Sequence, residues 1–154
     1  MTIEQLSDST QDYLKAIWLA EEWSDEPVTA TVVSQRVGVT LSTTSDALRR
    51  LRRSGLIDHA PYGSITLTAA GRAHAVDMVR RHRLIETFLV QALDYTWDQV
   101  HEEAEILEHA VSEFMIARIA DYLGHPDRDP HGDPIPAADG SVERLTAISL
   151  THLG

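Results

Sequence analysis

Residues 100–112 read VHEEAEILEHAVS, and as a helix they set His101, Glu105, Glu108 and His109 at i, i+4, i+7 and i+8, on one face. Val100, Ala104, Leu107 and Val111 repeat at the same intervals on a second, displaced face. One face suits a core, while the other offers two imidazoles and two carboxylates. Burying four such groups unpaired would be costly, and a divalent cation is the partner that satisfies them together. A zinc-protease HExxH is excluded, because the residue four after His101 is Glu105. A di-iron Glu-x-x-His fails as well, since Ile106 stands three before His109 and no second copy exists. Neither a Ser/His/Asp order nor a glycine-rich phosphate loop appears. The pattern predicts an exchangeable regulatory metal and not an enzyme.

Two further groups could join such a site. His82 and Glu86 form an i, i+4 pair inside a second helical pattern. Taken alone the pair reads as a surface hydrogen bond, or as part of a salt-bridge network with Arg80, Arg81 and Arg83. It gains weight because the focal helix follows after one short connection, and antiparallel neighbours bring their faces together. Asp12 lies near the start of the first helical pattern, where an acid also suits the helix dipole.

The elements needed to position these groups can be read from composition and periodicity. The chain has 154 residues, 43% of them hydrophobic, which suits one ordinary domain or two small ones. No apolar run approaches the roughly 18 residues that span a bilayer. The opening MTIEQLSDSTQ lacks the basic and apolar regions of a signal peptide, so a cytoplasmic protein is expected. With no cysteine, any metal must take nitrogen and oxygen ligands. The net charge of −11 is uneven: residues 1–73 carry −2 and residues 74–154 carry −9. The acidity collects where a cation site is suspected, and the first half keeps a local basic cluster.

Residues 10–23 predict a first helix capped by Ser9 or Thr10, with Tyr13, Ile17, Leu19, Ala20 and Trp23 as its apolar positions. Residues 29–37 predict a second, closed by Gly38. A third starts from Thr40 or Ser42, turns Ala47, Leu48 and Leu51 inward and ends at Gly55. Residues 56–68 alternate β-formers around Pro-Tyr-Gly-Ser, a hairpin. Helix, helix, helix, hairpin is the order of a winged helix-turn-helix. A long helix then runs from about 68 to Leu93 with Ala75, Val79, Leu84 or Met78, Phe88 and Leu89 as its stripe, followed by the focal helix and a further helical run to Gly124. The remaining tail holds four of the six prolines and reads as irregular, with at most a short ordered piece near 142–150.

Ser42, Thr43, Thr44, Ser45 and Asp46 fall in the first turns of the third helix. In a helix-turn-helix those turns enter the major groove, within reach of base edges, thymine methyls or phosphates. Thr40 or Ser42 can cap the helix, and Arg49, Arg50, Arg52 and Arg53 at its far end favour phosphates. The plainer reading is a solvated, capped helix whose arginines complement the dipole. With no Arg or Asn set for a bidentate base contact in the first turn, readout is expected to rest partly on DNA shape.

With these residues in view, the chain resembles the diphtheria-toxin-repressor family of metal-dependent transcriptional regulators, and most of all its manganese transport regulator branch. The likeness runs from about Asp8 to Gly140 and is densest in QDYLKAIW, RRHRLIETFL, VHEEAEILEHAVS and DPHGDPIP. It implies a mainly α fold: a winged helix-turn-helix DNA-binding domain over 1–71, then a helical metal-binding and dimerisation domain over 72–140. Residues 141–154 remain as a tail, with the SH3-like domain of longer members absent or truncated. It also implies a homodimer joined through the helical domain, operator DNA as partner, no membrane, and a repressor of metal-uptake genes with metal as co-repressor. One metal site would take Asp12, Glu105, Glu108 and His109, and a second His82, Glu86 and His101. Iron-sensing members have methionine and cysteine where this chain has Asp12 and Glu105, so hard oxygen ligands favour Mn2+, with Fe2+ as the alternative. Lys15 occupies the place of a glutamate that serves a binuclear pair in the shorter manganese regulators, which favours two separated sites.

The expected mechanism follows from where these ligands fall. Asp12 belongs to the DNA-binding part and Glu105, Glu108 and His109 to the dimer part, so a shared cation would favour the DNA-competent arrangement. Two rival readings remain: a helical metalloenzyme with a winged interaction domain, and a winged regulator of an organic effector with a structural His/Glu face.

Overall fold

The computed structural model describes residues 6–60 and 63–142, so the expected ordered piece near 142–150 lies outside the described residues but for Val142. The chain divides into two compact units, Met1–Met78 and Val79–Gly154. Among the described residues no helix is long and apolar enough to cross a membrane.

The first unit holds α1 (Asp8–Trp23), α2 (Ala30–Val37), α3 (Leu41–Arg53), β1 (Ile57–His59), β2 (Ile65–Leu67) and the start of α4 (Ala69–Leu93). Helix α1 begins earlier than its apolar positions suggested. Its cap is Ser7, whose hydroxyl accepts from the Thr10 amide, and not Ser9 or Thr10. Thr29 caps α2 and Gly38 closes it in the left-handed conformation at φ 81°. Thr40 caps α3 by accepting from the Thr43 amide. Leu14, Ile17, Val33, Ala47, Leu48, Leu51, Ile57 and Ile65 are buried and form the apolar interior of this unit. The two strands are antiparallel, Ile57 facing Leu67 and His59 facing Ile65. The Ile65 amide also donates to the Val28 carbonyl at 2.9 Å, tying the hairpin to the segment before α2. The architecture is the expected winged helix-turn-helix.

The hairpin is joined tightly to α4. Thr68 donates its hydroxyl to the Gly55 carbonyl at 2.7 Å and its amide to the Leu56 carbonyl at 3.1 Å. A Cβ on Gly71 would stand 1.9 Å from that same Leu56 oxygen, so only glycine fits there.

The second unit holds the rest of α4, α5 (Trp97–Ala110) and α6 (Glu113–Leu123). Its core joins Leu84, Ile85 and Leu89 of α4 to Val100 and Ala104 of α5 and Ile116, Ile119 and Ala120 of α6. Helix α5 stops at Ala110, so Val111 and Ser112 fall outside it, and Ser112 caps α6 through the Met115 amide. From His125 to Val142 the described residues form no helix, yet the segment is held firmly. Arg128 and Pro134 form a β-bridge, Ile135 donates its amide to Asp127, and Ile135 packs against the core.

Candidate metal centre and nucleic-acid interface

Helix α4 buries one side among leucines and isoleucines and carries His82 and Glu86 one turn apart beside them. Helix α5 turns Val100 and Ala104 into the same core, and Glu108 completes that stripe with no exposed surface. Five of the seven metal ligands expected from sequence thus meet in one chain of alternating acids and bases. His82 Nδ1 lies 3.2 Å from Glu108 and its Nε2 3.4 Å from Glu86. His101 Nδ1 lies 3.5 Å from Glu86 and its Nε2 3.1 Å from Glu105. The two imidazoles meet edge to face, 5.0 Å between centroids.

This order has a chemical consequence. A Glu108 carboxylate can only accept, so His82 Nδ1 donates to it; Nε2 must carry a proton where it pairs with the Glu86 carboxylate, and it is the nitrogen on which a cation would replace that proton. A carboxylate that fixes the tautomer of a histidine in this way is the usual support of a metal-binding imidazole. Burial would raise the Glu86 carboxyl, but its hydrogen bond to His82 and the charges of His82, His131 and His101 outweigh it and hold the group below the usual carboxylate range.

His82, Glu86 and His101 each offer a ligand atom, and these atoms lie within 4.8 Å of one another. Donors about 2.1 Å from one cation stand up to roughly 4.2 Å apart, so a slight contraction would close the set. The donor set is nitrogen and oxygen, which suits a borderline or hard divalent ion. A second grouping shares Glu86: Glu86, Asp129 and His131 also lie within 4.8 Å. Sequence reasoning missed the last two, because they come from an irregular turn with no periodicity to flag them.

The turn is built to hold them. Asp129 Oδ1 accepts from the amides of His131 and Asp133, both at 2.9 Å. Arg83, buried on α4, donates to the Pro134 carbonyl at 2.7 Å. Burial, together with the charges of Asp133 and Glu86, raises the Asp129 carboxyl against the lowering effect of those two amides. The string DPHGDPIP, which had no mechanistic meaning as sequence, positions two more potential ligands.

Arg81 and Arg83 also have structural tasks, which the salt-bridge reading of His82 and Glu86 overlooked. Arg81, fully buried, donates to the carbonyls of Glu108, at 3.2 Å, and Val111, and pairs with Glu113 at 2.7 Å. Two expected ligands remain. His109 is half-buried at the end of α5, and Asp12 is half-buried on α1 of the first unit.

On α3, Thr40, Ser42, Thr43, Asp46, Arg49, Arg50 and Arg53 are exposed and Ser45 is half-buried. Thr44 departs from the hydroxyl cluster. It is fully buried, its hydroxyl has no hydrogen-bond partner among the described residues, and it belongs to the core.

Comparison with known proteins agrees with both units. Residues 5–65 match the family described as iron dependent repressor, N-terminal DNA binding domain. Residues 68–137 match iron dependent repressor, metal binding and dimerisation domain. The chain is 34% identical to the iron-dependent repressor IdeR of Mycobacterium leprae, over 98% of this chain and 68% of that protein. It is likewise 34% identical to the diphtheria toxin repressor of Corynebacterium efficiens, over 97% and 68%. A solved structure of a manganese-dependent transcriptional repressor in complex with manganese superposes with a TM-score of 0.83 at 57% identity, over 87% of this chain and 61% of that one. The chain therefore spans about two thirds of these relatives' length. Winged unit, helical unit and sequence agree, and the chain belongs to the iron-dependent repressor family, that of the diphtheria toxin repressor.

Proposed function

We propose that this protein is a manganese-dependent repressor that acts in the cytoplasm as a homodimer on operator DNA of metal-uptake genes, with metal as co-repressor. The observation that carries the reading is the alternating chain Glu108, His82, Glu86, His101, Glu105. It offers only nitrogen and oxygen, and the solved relative with 57% identity is a manganese complex. The sites hold His82, Glu86 and His101 in one set, extended by Asp129 and His131, and Asp12, Glu105, Glu108 and His109 in the other. The second set follows the family resemblance. When bound, the cation supplies the positive charge that lets these carboxylates lie close together.

The residues do the rest. Glu108 orients His82, Glu86 serves two ligand groupings, and Asp129 is fixed by its two amides. In a homodimer, two copies of α3 would address half-sites one DNA turn apart. Iron is the second reading, because the Mycobacterium leprae relative at 34% identity is named as iron-dependent.

The test is fluorescence anisotropy of metal-stripped protein on duplex DNA from upstream of a manganese transporter gene, titrated with Mn(II), Fe(II) and Zn(II) at fixed salt. Binding that appears with Mn(II), reverses with chelator and weakens at least about tenfold in Glu86→Gln is expected. Binding indifferent to every metal overturns the reading.

A further inference from the structure

Helix α3 carries four arginines and a single acid, Asp46. The buried residues Thr44, Ala47, Leu48 and Leu51 define its inner side. Ser42, Asp46, Arg49 and Arg53, at i, i+4, i+7 and i+11, run along the side directly opposite. Asp46 therefore stands in the middle of the stripe that faces outward. Its side chain is 60% exposed and its Oδ1 accepts from the Arg49 guanidinium. An ion pair this exposed contributes little to the helix. On a surface that approaches phosphates, a carboxylate at that place repels the partner unless a base edge answers it.

We propose that Asp46 is a specificity-determining residue that accepts a hydrogen bond from the N4 amino group of a cytosine in each half-site. This rests on the DNA-binding reading above and names what that surface selects. The major-groove edges distinguish the candidates. Cytosine presents an N4 donor beside a C–H, whereas adenine presents its N6 donor beside the N7 acceptor, which would meet a carboxylate oxygen lone pair to lone pair. Guanine and thymine offer only acceptors and a methyl group there. Arg49 takes Oδ1 and offsets the charge, so Oδ2 is the oxygen that meets the base. Ser42, one turn before Asp46 on the same stripe, faces the neighbouring base pair.

The experiment is selection of bound duplexes from a random pool by the metal-loaded full chain, wild type and Asp46→Asn in parallel. Circular dichroism confirms that the exposed substitution leaves the fold intact. The wild type is expected to enrich one C·G position in each half-site. Asp46→Asn should move that single position toward A·T, since asparagine pairs with adenine N6 and N7, with about a tenfold change in relative affinity. Identical enriched sequences for the two proteins, with affinity raised uniformly in the variant, would overturn the assignment while leaving DNA binding standing. Failure of the metal-loaded wild type to enrich any sequence would overturn both.

Discussion

The two units bury polarity differently. Among described residues, Met1–Met78 buries three polar side chains, Gln11, Ser34 and Thr44, none of them charged. The second unit buries Arg81, His82, Arg83, Glu86, Glu108 and Asp129 together with Thr87. The first unit is held by apolar burial and leaves its charged side chains unburied among the described residues. The second encloses its charge, at a desolvation cost that only close partners offset. Local acid–base pairing offsets part of that cost in the protein alone, and the clustering of ligand atoms around Glu86 indicates where a cation would offset more.

The strongest test of this contrast is Arg81. It joins the end of α5 to the start of α6 through two carbonyls and Glu113, so Arg81→Met strands buried acceptors and should cost about 3 kcal/mol, read as a lowered urea midpoint. A loss under about 1 kcal/mol would mean that the buried charge is not structural.

Acidity gives a smaller effect with a definite sign. The Glu86 carboxyl is held below its ordinary 4.5 in the folded protein, so its contribution is fully present above that value and is lost as pH falls through the lowered one. The stability gap between wild type and Glu86→Gln, measured without metal, should therefore narrow below about pH 4.5. A gap that widens there would contradict the pairing with His82. The smallest effect belongs to the first unit. Arg72 and Glu21 meet at 2.8 Å but remain partly exposed, so Arg72→Ala should cost less than about 1 kcal/mol and that little should fade with added salt.

Much of this was legible in the sequence, for reasons the residues make plain. Helix α3 could be read because a threonine cap, the inward set Ala47, Leu48 and Leu51, and Gly55 agree with one another. The focal face on α5 could be read because helical spacing alone puts His101, Glu105, Glu108 and His109 together. What spacing could not supply was the direction of a single side chain. Thr44 looks like its neighbours in the hydroxyl run, yet it falls on the buried stripe. Glu108 shares a face with His109, but its task of holding His82 depends on a helix 26 residues earlier. Asp129 and His131 were invisible because a turn has no period, and their place is set by two amides and a distant arginine.

Gly71 has a consequence for the rotational phase of α4. The Leu56 oxygen occupies the space where a Cβ would stand, and the residues on either side, Ala70 and Arg72, are exposed. Turning the helix about its own axis would drive one of their side chains into that oxygen. The angle of α4 is therefore indexed at its first turn, as a key indexes a shaft. The same angle decides, one and two turns later, that Ala75 and Met78 turn inward with no exposed surface.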